Sequence, residues 1–315
     1  MILTVGDPRG IGADVVAQAV ERYTEEGGEP DRLRVVAPGN SFSSSRCPCP
    51  VLDIEPWDGT ESGAGRATVE GLRRAVDTVL SAGSGAVVTG PAHKPALHAA
   101  GFAVPGQTEL LQQLTRSRRV GMLMAAERTA LGGSPLRVLL ATTHMPLRAI
   151  FDILTEELLV EQAELLAREL RGRWGIPSPR VALCGLNPHA SDGGLFGDEE
   201  ERIMVPAVAR LQGMEIEANG PFPADTVFRR ALEGEFDAVV APYHDVGMAA
   251  FKSVAFGTGV NTTLGLPFPR TSPDHGTAFH LKGTGRADAS STLEALRLAL
   301  RLSDKAALTG PTRRI

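Results

Sequence analysis

The sequence predicts an α/β protein built on a largely parallel sheet covered by helices, and three observations lead there. Short apolar runs of strand length alternate with stretches of helical periodicity along the chain. The 35 Gly and 22 Pro are numerous enough to divide many short elements by tight turns. With 315 residues, the chain can form one large α/β body or two domain-sized units.

Taken in order, "ILTV" (2–5) reads as the first strand, "GDPRGIG" as its turn, and residues near 12–24 as a helix. "LRVVAP" (33–38) is a second strand, followed by "GNSFSSSRCPCP", an irregular surface loop. "RATVEGLRRAVDTVLSAG" (66–83) has apolar residues at helical spacing, and "GAVVTGP" (85–91) is the next strand. Further strands are expected at "VGMLMAA" (120–126), "LRVLLATT" (136–143), "RVALCGL" (180–186) and "DAVVAP" (237–242). Between them "TEELLVEQAELLARELRGRWG" and "DEEERIMVPAVARLQG" read as amphipathic helices. The first ends in basic residues and a Gly, as the helix dipole and C-cap geometry favour. "SSTLEALRLALRL" (290–302) is a last helix whose Leu and Ala stripe suits a core or an interface. No repeat and no linker separates two halves, so two domains would require the chain to pass between them more than once.

A net charge of −5 and a pI near 5.9 provide no basic field for nucleic acid or an anionic membrane. Of three cysteines, Cys47 and Cys49 stand too close for an easy bridge and Cys184 lies in an apolar run, so a disulfide framework is excluded and a reducing cytoplasm fits. The opening "MILTVGDPRG" has no basic n-region, and no apolar stretch is long enough to span a bilayer. The expectation is a cytoplasmic protein.

Three histidines share one kind of place. His144 ends "VLLATTH", His189 ends "VALCGLNPH" and His244 ends "AVVAPYH", each within a few residues of an apolar strand. Ligands bind at the carboxyl ends of parallel strands, and three neutral imidazoles that leave positions open are the ligand set of catalytic Zn²⁺ and related ions. The alternative is three independent polar strand ends, since His93, His98, His275 and His280 also occur. Asp225 in "GPFPADTVF" suits an N-cap or a carboxylate beside a metal. Lys252, Asn261 and Arg270, and separately Lys94, Gln107 and Thr108, sit among turn residues able to grip an anion. "GDPRGIG" lacks the spacing of a dinucleotide fingerprint.

The segments "GDPRGIG", "TGPAHK", "PGQTE", "TTHMPLR", "LNPHASDGGLFGDEE", "GPFPADTVF", "YHDVG" and "FGTGVNTTLGLPFPRTSPDHGTAFHLKGTGRAD" run from Val5 to Asp288 in one order. They resemble the 4-hydroxythreonine-4-phosphate dehydrogenase family of pyridoxal phosphate biosynthesis and its paralogues. The resemblance implies two α/β/α domains of the isopropylmalate and isocitrate dehydrogenase fold, with the active site in the cleft between them and completed across a homodimer. It assigns residues 1–105 with 250–315 to a nucleotide-binding domain and 106–249 to metal binding, substrate binding and dimerisation. The implied metal ligands are His144, His189 and His244, at least one coming from the other subunit. The implied substrate contacts are Thr108, Lys252, Asn261 and Arg270, with Gln107 where the family carries His, and Asp225 and Lys252 are the catalytic candidates. "DHGTAFHLKGTGRAD", with His275, His280 and Lys282, matches the loop that seats the adenosine of NAD or NADP.

The implied reaction is metal-dependent (Zn, Mg or Co) and NAD(P)-linked. It oxidises and decarboxylates a small anionic β-hydroxy acid, 4-phosphooxy-threonine or a close analogue. Departures from the family bear on this. Gln107 cannot carry charge, which admits a less anionic substrate end. Val246 replaces Gln in "YHDQG", the acidic residue of "FDIAG" is His280, and "ERTALGGSPLRV" is longer than the usual hairpin. Competing readings are a catabolic paralogue acting on a phospho-threonate-like or cyclic dihydrodiol carboxylate, a metal-dependent hydrolase, and a non-catalytic binding protein.

Overall fold

The computed structural model describes residues 1–42 and 47–308. Part of the expected 39–50 loop, residues 43–46, lies outside them. Along the described residues the strands are β1 (Ile2–Thr4), β2 (Arg34–Pro38), β3 (Val51–Ile54), β4 (Val87–Thr89), β5 (Gly121–Ala126), β6 (Leu136–Leu140), β7 (Val181–Cys184), β8 (Ala218–Phe222), β9 (Ala238–Ala241), β10 (Val260–Leu264) and β11 (Arg270–Pro273). They belong to two units, residues 1–120 with 266–315 and residues 121–265.

The first unit carries the order β3-β2-β1-β4-β11, every pair parallel. The helix Glu61–Ala82 covers it, burying Val69, Leu72, Val76 and Val79 against Val36, Val87, Leu110 and Phe268. It begins a turn earlier than its apolar spacing suggests because the Thr60 hydroxyl accepts from Gly63 N, which supplies an N-cap.

The second unit carries the order β10-β5-β6-β9-β7-β8. β6, β9 and β7 are parallel, as expected, and so is β8, which the sequence did not mark as a strand, but β5 is antiparallel to both β10 and β6. The reason lies in the connection. Residues 127–135 are too few for a crossover helix, and only antiparallel neighbours can be joined so briefly. Leu136, Val138 and Leu140 of β6 and Val239 of β9 bury against Val227, Phe228 and Phe251.

The unit boundaries fall at 120/121 and 265/266 rather than at 105/106 and 249/250. Leu110 and Leu111 of the helix Gln107–Thr115 belong to the first unit's core, and β10 takes all its described register partners from β5. Among the described residues no helix is long and apolar enough to cross a membrane.

Candidate active site

Four neighbouring parallel strands of the second unit each deliver a chemically capable residue just past the carboxyl end. β6 leads to His144, β9 to His244, β7 to His189 and β8 to Asp225. The expected strand-end placement therefore holds, and strand adjacency turns it into a row.

Within one chain only two of the three imidazoles meet. The rings of His144 and His244 lie 5.3 Å apart, centroid to centroid, with 44° between their planes. They line a cavity of about 130 Å³ together with Thr143, Met145, Tyr243 and Asp245. His244 opens the helix His244–Ala255, and its Nδ1 lies 2.7 Å from Asp245 Oδ1. A carboxylate on Nδ1 fixes the tautomer and leaves Nε2 for a ligand, the usual outer arrangement of a metal-binding histidine. The pair fits a divalent ion. His189 does not join it, and no group of three His, Cys, Asp or Glu placed to hold a metal ion occurs among the described residues.

His189 stands exposed on a turn of unusual backbone. His189, Ala190, Ser191 and Asp192 all have positive φ, at 55°, 52°, 66° and 46°. L-residues adopt this region at a cost of about 1–2 kcal/mol each. The buried Glu200 carboxylate holds the turn in place. It accepts from Leu186 N at 2.7 Å, Asn187 N at 2.6 Å, Asn187 Nδ2 at 2.8 Å and Ser191 Oγ at 2.6 Å. Burial pushes the Glu200 carboxyl up, but the Asn187 and Ser191 bonds outweigh it and hold the group below the ordinary Glu value. Sequence reading gave Glu200 no role, because its partners lie nine to fourteen residues away across a turn.

Asp225 does not cap its helix. Pro223 occupies the N-cap of Ala224–Leu232, and no side-chain cap bond forms. The asparaginyl or aspartyl cap needs the residue directly before the helix, and here a proline stands there, leaving Asp225 exposed in the first turn. Lys252 lies half-buried two turns beyond His244 on the same helix, and Asn261 lies in β10.

The other expected residues belong to the first unit. Gln107 opens the helix Gln107–Thr115, donating from Nε2 to Gly90 O at 3.0 Å, and Thr108 is half-buried beside it. Arg270 is 3% exposed, and its Nε and Nη2 donate to Thr89 Oγ1 at 3.1 and 2.6 Å. Burial lowers its pKa to about 10, opposed by Glu109. At neutral pH it is still a cation.

The segment 274–288 docks on the first turn of the chain. Ile11 N donates to Thr277 O at 3.0 Å, and a Cβ on Gly10 would stand 2.7 Å from that same oxygen, so glycine permits the approach. Lys282 Nζ donates to Pro8 O and lies 5.5 Å from the Trp57 ring. His280 is exposed in the short helix Phe279–Leu281. Beside it, Arg9 binds the buried Asp7 at 2.8 Å and Glu61 at 3.1 Å, lies 5.1 Å over the Phe279 ring, and meets His93 Nδ1 at 3.0 Å. Arg9, His93, Phe279 and Trp57 received no role from the sequence. Arg9, His93 and Phe279 lie in the matching segments "GDPRGIG", "TGPAHK" and "DHGTAFHLKGTGRAD", whereas Trp57 lies in none of them.

Three expected residues carry a buried polar atom with no protein partner among the described residues: Gln107 Oε1, Asn261 Oδ1 and His275 Nε2. Such an atom costs about 1–3 kcal/mol unless water or a ligand satisfies it. Thr4 Oγ1, which has no expected role, is in the same position. A larger cavity, about 720 Å³, lies beneath β3 and the helix Glu61–Ala82 and includes none of the expected residues.

Comparison with known proteins gives a consistent result. A family model described as "Pyridoxal phosphate biosynthetic protein PdxA" matches residues 13–299. The chain is 38% identical to 4-hydroxythreonine-4-phosphate dehydrogenase of Ralstonia nicotianae over 97% of this chain and 98% of that protein. It superposes on the crystal structure of the Klebsiella pneumoniae 4-hydroxythreonine-4-phosphate dehydrogenase with a TM-score of 0.84 at 36% identity, covering 96% of this chain and 97% of the other. Isocitrate dehydrogenase from Methylococcus capsulatus shares the fold, with a TM-score of 0.55 at 15% identity over 97% of this chain and 87% of the other.

Proposed function

The chain belongs to the PdxA family of pyridoxal phosphate biosynthetic proteins and is a dehydrogenase, and on that premise we propose that it oxidises and decarboxylates 4-phosphooxy-threonine or a close analogue with NAD or NADP and a divalent metal ion. The observation that carries the reading is the row His144, His244, His189 and Asp225 along four adjacent parallel strand ends, with the first two rings already paired.

When bound, a divalent ion supplies Lewis acidity at an oxygen and the nicotinamide a hydride acceptor. His144 and His244 are the ligands proposed from one chain, with Asp245 orienting His244 through Nδ1. Asp225, a carboxylate with no capping duty, is the residue proposed to take the proton of the substrate hydroxyl. Loss of hydride from that carbon yields a β-keto acid, whose carboxylate leaves as CO₂. Lys252, Thr108, Asn261 and Arg270 are the proposed substrate contacts, and His275, His280 and Lys282 the proposed nucleotide contacts.

We further propose that the site is completed in a homodimer, with His189 serving the His pair of the other copy. Support comes from the failure of His189 to join its own pair and from exposed apolar side chains near both places: Leu147 at 57%, Phe151 at 50%, Leu195 at 76% and Phe196 at 49%. A second reading, a paralogue acting on a less anionic substrate, is favoured by one observation. Gln107 has its amide nitrogen tied to Gly90 O and cannot present a positive charge.

The test is a panel of β-hydroxy acids, 4-phosphooxy-threonine and phospho-threonate among them, with NAD⁺ and NADP⁺. Chelated enzyme is reloaded with Zn²⁺, Mg²⁺ or Co²⁺, and the reduced nicotinamide is followed by absorbance. Turnover should require an ion and disappear in His144→Ala and His244→Ala. Absence of nicotinamide reduction with every acid, or full activity of His144→Ala, would overturn the proposal.

A further inference from the structure

Cys47 and Cys49 take no part in the chemistry above, yet the fold brings them together. Their sulfurs lie 3.1 Å apart, and both are free thiols. Sequence spacing argues against an easy bridge, but the local chain has restricted freedom. Pro48 separates the two residues and Pro50 follows, each fixing its own φ near −65° and biasing its predecessor toward extended conformations. Pro50 O accepts from Val35 N at 3.0 Å, which ties the pair to the edge of the first unit's sheet just before β3. Cys47 is half-buried and Cys49 is 5% exposed, so one sulfur can meet a reagent while the other stands behind it.

We propose that Cys47 and Cys49 form a vicinal dithiol that small disulfides oxidise to an intramolecular bridge, with Cys47 as the attacking residue and Cys49 as the resolving one. The Cys47 thiolate attacks one sulfur of a disulfide R–S–S–R, forming Cys47–S–S–R and expelling R–S⁻, which takes a proton. Cys49 then loses its proton to solvent and attacks the Cys47 sulfur, expelling the second R–S⁻. Two thiols lose two electrons in total and the reagent leaves as two R–SH.

The electrostatics agree with this division. The hydrogen bond from Cys49 lowers the Cys47 pKa to about 7, against the opposing effect of burial. The same bond and burial raise Cys49. At neutral pH about half of the more accessible sulfur is therefore thiolate, the form that attacks disulfides. Cys184 offers no competing reaction, being 1% exposed with its pKa pushed to about 12 by burial and by Glu200.

The experiment treats the native full chain with oxidised glutathione, quenches with acid and maps peptides without reduction. The expected product has lost two hydrogens and two of its three thiols, with the link located between residues 47 and 49, and dithiothreitol restores it. Alkylation of Cys47 should titrate with a midpoint near 7. In Cys49→Ala that midpoint should rise toward the ordinary thiol value of about 8.5, and glutathione should remain attached to Cys47. Persistence of the glutathione adduct on Cys47 in the unmutated chain, or an alkylation midpoint at or above 8.5 in it, would overturn the proposal. Neither readout depends on the dehydrogenase reaction, so both remain valid whatever the substrate proves to be.

Discussion

Replacing Glu200 with glutamine should release the turn that carries His189. In the unmutated chain one buried carboxylate accepts four hydrogen bonds, at 2.7, 2.6, 2.8 and 2.6 Å. Bonds to a charged acceptor contribute roughly 1.5–3 kcal/mol each, against about 0.5–1.5 for neutral ones. Opposing them, four consecutive positive-φ residues cost about 1–2 kcal/mol apiece. A glutamine can keep its oxygen on the two backbone N–H groups, but its NH₂ then faces the Asn187 amide nitrogen, donor against donor. The net loss is about 3 kcal/mol from weakened and missing bonds, enough to make opening of the turn about 150-fold more frequent. Hydrogen exchange measured by mass spectrometry should show this at residues 186–192, while the core strands β6, β7 and β9 keep their protection. On the proposed ligand role of His189, metal content should fall along with the exchange protection. Protection of 186–192 within threefold of the unmutated chain would refute the reasoning, because the strain would then be held by something other than Glu200.

Three further outcomes follow from the geometry. Gln107→His should raise kcat/KM for 4-phosphooxy-threonine relative to an uncharged analogue by roughly tenfold, because charge-assisted hydrogen bonds are about twice as strong as neutral ones; steady-state kinetics on both substrates check it, and an unchanged ratio sinks it. Lys282→Ala removes the bond to Pro8 O and the positive charge beside Trp57, so it should weaken NADP⁺ more than NAD⁺. An NAD⁺ preference above about tenfold, roughly 1.4 kcal/mol, that is unchanged in the variant would show that this loop does not read the 2′-phosphate. Cys184, whose folded pKa is raised to about 12, contributes stability that is complete below the unfolded thiol value and is lost as pH rises above it. Urea unfolding at pH 8 and pH 10.5 should show about 2.5 kcal/mol more alkaline destabilisation in the unmutated chain than in Cys184→Ala.

Strands with continuous apolar sequence were legible, and with them the His row. β6, β7 and β9 read as buried runs, and residues following such runs must emerge at one edge of a parallel sheet. β10 and β11 were not legible as strands. "VNTTL" and "RTSP" have no apolar period, and Thr262, Thr263, Arg270 and Thr271 are buried because neighbouring strands and helices enclose them. Of the two readings open to Asp225 in the sequence, the N-cap fails because Pro223 already fills that place. Arg9 was silent for a different reason. Its partners Glu61 and His93 are 52 and 84 residues away, and only the folded chain makes a charged cluster of them. The failure of His189 to join its own pair was likewise invisible to strand-end reasoning, which predicts the edge on which a side chain emerges and not the distance across it.

The division of the chain into a continuous second unit and an interrupted first one also imposes an order on its birth. Residues 121–265 contribute six consecutive strands, β5 to β10, with no later strand needed among them, so this unit can condense as soon as its last strand leaves the ribosome. The first unit cannot do the same. Thr89 and Val87 of β4 are synthesised long before Arg270 and Thr271, which complete their edge of the sheet and bury beside them. Until then β4 presents an open parallel edge, and such non-local pairing is the slow and aggregation-exposed kind. Nascent chains that have emerged from the ribosome as far as residue 265 should therefore bind chaperones through the earliest-made unit and not through the one just finished.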